Sequence, residues 1–175
     1  MNKCLIYEGV FDPPHIGHQK LLKSAICELK PDIVVVMVAT NEAARELSNK
    51  PRASLQYIRK LLCEKTFVDL PITVYVEGDN RFIPKFNIDI IKYVMNKYSA
   101  DRYYYLMGTD RINSISKYHA SDEIKRLTIA YYPEIHIESS IRSTMIRKLV
   151  KENKNISPYV TPFVESLSTI LYKIH

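Results

Sequence analysis

Short β-branched apolar runs alternate along the chain with longer stretches whose apolar residues recur every three or four positions. Residues 3–7 read as a strand, and residues 8–14 as a loop bearing glycine and proline. A helix follows to about residue 29, with Ile16, Leu21, Leu22, Ala25, Ile26 and Leu29 at helical spacing. Residues 32–38 are almost all apolar, the pattern of a strand buried on both faces. Ser54 is placed to cap a helix carrying Leu55, Ile58, Leu61 and Leu62 on one face. Residues 72–76 predict a strand, 88–98 a helix, and 103–107 a strand ended by Gly108. Residues 127–132 and 135–137 are further extended candidates. Ser143 can cap a helix to about residue 152. Pro162 opens a last helix whose apolar face is Phe163, Val164, Leu167, Ile170, Leu171 and Ile174.

Strands alternating with helices predict an α/β fold: a Rossmann-like, doubly wound, mostly parallel sheet with helices on both faces. A length of 175 residues suits one domain over residues 1–175, with the helices from about 143 to 175 packed on it. The least regular stretches, residues 41–53 and 77–86, each follow a predicted strand. Both are expected to overhang the carboxyl edge of the sheet, where open α/β folds bind ligands.

Composition narrows the function. At 46% hydrophobic and 25% charged residues the chain is neither disordered nor fibrous. No apolar run approaches the ~20 residues of a membrane span, and the apolar start is too short for a signal peptide, so the cytoplasm is the expected compartment. Cys4, Cys27 and Cys63 are odd in number, far apart and set among apolar residues; buried reduced thiols are expected, not a disulfide framework or a zinc site. The net charge of +6 is spread along the chain, densest at residues 148–154 and interrupted there by Glu152. One anion-binding pocket accounts for it better than a nucleic-acid groove or a membrane surface. A homo-oligomer is left open.

The chemistry concentrates in Gly9-Val10-Phe11-Asp12-Pro13-Pro14-His15-Ile16-Gly17-His18, which joins the first strand to the first helix. Gly9 would let the backbone approach a ligand closely. The prolines stiffen the turn, and the helix start would present N–H groups and its positive dipole end to an anion. His15 and His18, three apart, share one face, with Gly17 leaving a gap between them for a phosphate or ribose. Two imidazoles aimed at one phosphate can donate hydrogen bonds to its developing charge. At the other end of the chain, Ser143 and Thr144 start a helix beside Arg147, a second set of hydroxyls, N–H groups and planar cation suited to phosphate.

These residues resemble the H-x-G-H nucleotidyltransferase superfamily, and within it the nicotinate mononucleotide adenylyltransferases, whose loop is typically G-G-[ST]-F-[DN]-P-[PIV]-H-x-G-H. Gly9 and the positions from Phe11 onward match, whereas Glu8 replaces the first glycine and Val10 the hydroxyl residue. Ile141-Arg142-Ser143-Thr144-Met145-Ile146-Arg147 is similar to the family's I-S-S-T-x-I-R, and Gly108-Thr109-Asp110 to its strand-end G-[AST]-D. Residues 157–172 resemble its closing segment. Residues 41–98 match poorly; Arg59 stands for the family's basic residue on the second helix, and Lys50 and Arg52 for a missing phosphate-binding lysine. Tyr118, followed by His119, occupies the place of the family's tryptophan beside the acceptor ring.

The resemblance implies adenylyl transfer from Mg²⁺-bound ATP to nicotinate mononucleotide with release of pyrophosphate, a step of NAD synthesis. It implies His15, His18 and Arg147 as catalytic residues. ATP would be bound by Gly9, Val10, Phe11, His15, His18, Gly108, Asp110, Ser143, Thr144 and Arg147. Tyr118, His119, Lys50 and Arg52 would bind the acceptor, with no metal ligated by the protein. The alternatives are adenylyl or cytidylyl transfer to another phosphorylated acceptor, such as nicotinamide mononucleotide or phosphopantetheine, or an inactive nucleotide sensor.

Overall fold

The computed structural model describes residues 1–42, 54–78, 86–108, 115–133 and 141–173. Lys50, Arg52, Thr109, Asp110, residues 135–137 and Ile174 lie outside them, as does most of the two stretches expected to overhang the sheet.

Strands β1 (Lys3–Gly9), β2 (Ile33–Val38), β3 (Val74–Glu77), β4 (Arg102–Leu106) and β5 (Ile129–Tyr131) form one sheet in the order β3-β2-β1-β4-β5. Every neighbouring pair is parallel. The chain winds outward from β1 to β3 and then crosses to the other side of β1 for β4 and β5. The winding therefore reverses at β1, and a crevice opens at the carboxyl ends of β1 and β4.

Helices α1 (Ile16–Leu29) and α2 (Gln56–Phe67) cover one face of the sheet, where Leu5, Tyr7, Val34 and Val36 meet Leu22, Ile26, Cys63 and Phe67. On the opposite face, Cys4, Ile6, Val35 and Met37 meet Ile91 and Val94 of α3 (Asn87–Lys97) and Ile124 of α4 (Ser121–Leu127). Alternate residues of β1 thus enter different cores, which explains why Cys4, Leu5, Ile6 and Tyr7 are apolar without interruption. Helices α5 (Ser143–Lys151) and α6 (Pro162–Lys173) pack beside α2 through Leu62, Ile146, Val150, Val164 and Tyr172. Each such fully buried aliphatic side chain contributes about 1.5–3 kcal/mol. Among the described residues no helix is long and apolar enough to cross a membrane.

The departures from expectation have local causes. Helix α4 is not foreshadowed by periodicity, because its seven residues bury only Ile124. It also shortens the strand expected over residues 127–132. Helix α2 turns Gln56, Arg59, Leu62, Cys63, Thr66 and Phe67 inward and leaves Leu55 and Leu61 exposed, since Arg59 is drawn to internal acceptors. Helix α6 buries Val164, Ser168 and Tyr172 and exposes Phe163 and Ile170. Neither Ser54 nor Ser143 caps its helix; Leu55 and Arg142 hold those positions without side-chain caps. Cys4 and Cys63 are buried, but Cys27 lies on the exposed side of α1.

Candidate active site

The loop between β1 and α1 lies at the carboxyl edge of the sheet. A Cβ on Gly9 would stand 2.8 Å from the Phe11 ring, so this glycine makes room for Phe11. Phe11 has a left-handed backbone (φ 51°), and its ring is buried edge-on to Tyr7, His18 and Phe67. Its side chain is the floor beneath His18, and only its backbone can face a nucleotide. The Val10 carbonyl points away from the crevice to the guanidinium of Arg59, at 2.7 Å.

His15 is the N-cap of α1, where imidazole is an unusual choice. Its N–H donates to Nδ1 of His18 at 3.1 Å, and the N–H of His18 approaches Nδ1 of His15 at 3.4 Å. The His18 N–H is shared with the His15 carbonyl, at 2.9 Å. The two rings stack with centroids 3.6 Å apart. A neutral imidazole that accepts at Nδ1 carries its proton on Nε2, so the mutual cap makes both Nε2 atoms donors. Burial lowers the His15 pKa to about 4, which keeps it neutral at neutral pH.

The expected gap above Gly17 is not open. A Cβ there would meet Nδ1 and Cε1 of His15 at 3.0 and 3.1 Å. Nor are all first-turn amides free, because the Ile16 N–H is held by the Tyr159 carbonyl at 2.9 Å.

Three loop carbonyls are tied from behind. Arg59, fully buried, donates to the carbonyls of Val10 and Ser54, each at 2.7 Å, and to Asn41 Oδ1 at 2.9 Å. Ser143 Oγ donates to the Pro13 carbonyl at 2.8 Å. Arg147 Nη1 donates to the Asp12 carbonyl and lies 3.8 Å from Asp12 Oδ2. Its Nη2 reaches Thr144 Oγ1 at 3.4 Å. Asp12 is itself buried, accepting from the Tyr172 hydroxyl at 2.6 Å and the Ser54 N–H at 3.2 Å. Burial, and then the Asp12 charge, push the Tyr172 pKa well up, so its hydroxyl remains a donor. The structure brings Ser143, Thr144 and Arg147, read from the sequence as a second phosphate site, up to the loop, and adds Asp12 and Tyr172, partners 160 residues apart that the sequence did not reveal.

The opposite flank of the crevice is built from β1, β4 and α3. Glu8 Oε2 accepts from Asn87 Nδ2 at 2.6 Å and from the Tyr105 hydroxyl. Its charge therefore sits at the positive end of α3. Tyr118 packs half-buried against this core, and His119 is exposed, stacked on Phe86 with centroids 4.0 Å apart. Gly108 follows β4 at the same edge. Among the described residues no group of three His, Cys, Asp or Glu side chains could hold a metal ion.

Residues 6–149, the span from β1 to most of α5, match the family described as cytidylyltransferase-like. The chain belongs to that family. Among relatives of this family member, the protein named probable nicotinate-nucleotide adenylyltransferase of Shouchella clausii is 29% identical over 95% of this chain and 94% of its own length. One of the same name from Nitratiruptor is 29% identical over 71% of this chain and 69% of its own length. The solved structure of Plasmodium falciparum nicotinic acid mononucleotide adenylyltransferase complexed with NaAD superposes with a TM-score of 0.73. It covers 100% of this chain and 99% of its own at 15% identity, a likeness of fold.

Proposed function

We propose that this cytidylyltransferase-like protein is an adenylyltransferase that joins nicotinate mononucleotide to the AMP part of ATP and releases pyrophosphate. The observation that carries the reading is the mutual His15–His18 cap, which engages Nδ1 of both rings and so puts the proton of each neutral ring on Nε2, within the phosphate loop. The names of the relatives support the substrate pair.

In this reading a phosphate oxygen of the acceptor attacks the α-phosphorus of ATP. The new phosphorus–oxygen bond forms as the bond from the α-phosphorus to the bridging oxygen breaks, and that electron pair leaves with pyrophosphate. The attacking oxygen is already anionic, so no protein base is required; positioning and charge stabilisation supply the catalysis. His15 and His18 donate to the α- and β-phosphate oxygens. Arg147, with the N–H groups not turned to Asp12, and Thr144 meet the departing pyrophosphate. Ser143 acts from behind, through Pro13. Gly9, Val10 and Phe11 contribute backbone, while Gly108 and Asp110 hold adenosine. Tyr118, His119, Lys50 and Arg52 receive the acceptor. Mg²⁺ would arrive on the substrate as Mg·ATP and would offset charge on the phosphates. Residues 1–175 act as one domain, in the cytoplasm.

The test is pyrophosphate release from Mg·ATP with nicotinate mononucleotide, nicotinamide mononucleotide, phosphopantetheine or glycerol 3-phosphate. Preference for the first is expected. Preference for another acceptor, or ATP binding without turnover on any, overturns the reading.

A further inference from the structure

The buried polar cluster behind the phosphate loop joins residues from both ends of the chain. Asp12 Oδ1 accepts from the Tyr172 hydroxyl at 2.6 Å, and Oδ2 from the Ser54 N–H at 3.2 Å. Ser54 Oγ donates to the Tyr172 oxygen at 3.2 Å, and the Ser54 carbonyl is held by Arg59. Thus each carboxylate oxygen has a donor that is not Arg147. The Arg147 guanidinium, 3.8 Å from Oδ2, bonds the Asp12 main-chain carbonyl instead.

That separation matters chemically. A carboxylate and a guanidinium this close gain most from two parallel hydrogen bonds, and such a pair in a half-buried site would compete with phosphate for the same N–H fork. We infer that Tyr172 is a positioning residue that restrains Asp12 from pairing fully with Arg147, so that Arg147 stays available to the nucleotide phosphates. The inference rests on the reading that ATP binds at this loop. It gives α6 a role that its packing alone does not require, because the Tyr172 ring would fill the same space without its hydroxyl.

Tyr172→Phe keeps the ring and removes the restraint. The expected result is a roughly tenfold weaker Kd for Mg·ATP and a matching rise in its KM, with the acceptor KM little changed and a somewhat lower melting temperature, because the buried Asp12 carboxylate loses a donor. Adding Asp12→Asn removes the competing charge and should return the Kd towards that of the unsubstituted protein. An unchanged Kd in Tyr172→Phe overturns the inference, as does a weakened Kd that Asp12→Asn fails to relieve. If Tyr172→Phe does not fold, Asp12→Asn alone decides: ATP binding at least as tight as in the unsubstituted protein supports the restraint, and weaker binding refutes it. Binding is measured without turnover, so a failure of the proposed reaction stays distinguishable from a failure of this inference.

Discussion

His15 and His18 each offer Nδ1 to the main-chain N–H of the other, at 3.4 and 3.1 Å, while their rings lie stacked with centroids 3.6 Å apart. Nδ1 of each ring is thereby committed to structure, and the proton of each neutral ring stands on Nε2. The two duties separate by substitution. In His18→Asn the side-chain oxygen can replace Nδ1 as acceptor, but nothing replaces Nε2–H. Stability close to the unsubstituted protein, with turnover about 100-fold lower, is expected. His18→Gln holds the capping-box position of α1, where its Oε1 can accept from the His15 N–H while its amide N–H stays near the Nε2 position, so similar stability with more turnover than His18→Asn is expected. Denaturant midpoints and pyrophosphate release, measured on both variants, would expose the opposite ranking if it held.

Stability should fall in mild acid because of His15. Its pKa is lowered to about 4 in the folded chain against 6.5 as the ordinary value, so between these limits the unfolded chain binds the extra proton. Stability from this group is complete above about pH 6.5 and declines towards pH 4, by up to about 1.4 kcal/mol per pH unit. Urea unfolding at pH 7, 6 and 5 checks this. A His15→Gln variant should lose that part of the slope.

Gly17→Ala tests how closely the loop is fitted. The added methyl would press on the His15 ring, which must move by a few tenths of an ångström. Alanine's better helix propensity offsets part of the strain, so stability should change by less than about 1 kcal/mol. Turnover should drop about tenfold. Equal loss of stability and activity would mean that the ring position is not what matters.

Arg59→Lys keeps the charge and abandons the fork that serves Val10, Ser54 and Asn41. Leaving buried acceptors unpaired should cost about 2–4 kcal/mol in guanidinium unfolding. A change below 1 kcal/mol would show that the loop is held without this brace.

Glu8→Ala would leave the buried Tyr105 hydroxyl and Asn87 without their shared acceptor. A loss of about 2 kcal/mol is expected, most of it relieved in combination with Tyr105→Phe. A double-mutant cycle with additive effects would contradict the pairing.

The sheet was readable because β1 and β2 bury both faces, so their apolar runs carry no competing signal. Likewise the loop was readable because prolines, glycines and histidines at fixed spacing have few other uses. What stayed hidden was the orientation of helices whose inward faces carry polar groups. Arg59 and Tyr172 look like surface residues by type, so apolar periodicity found Ile58, Leu62, Val164, Leu167 and Leu171 but also drew in Leu55, Leu61, Phe163 and Ile170, which are exposed. The burial of Arg59 and Tyr172 depends on acceptors, Val10 carbonyl and Asp12 carboxylate, that lie 49 and 160 residues away. The sequence did not reveal that Gly9 and Gly17 each accommodate a ring of their own loop, Phe11 and His15.

The ties from Ser143, Arg147 and Tyr172 to the loop span 130, 135 and 160 residues. The loop histidines are therefore made well over a hundred residues before the side chains that brace their loop. A nascent chain can pair β1 with β2 early, but its loop remains unsupported until residue 172 has cleared the ribosome. Competence to hold a nucleotide should therefore depend on residues made long after the strands that flank the loop.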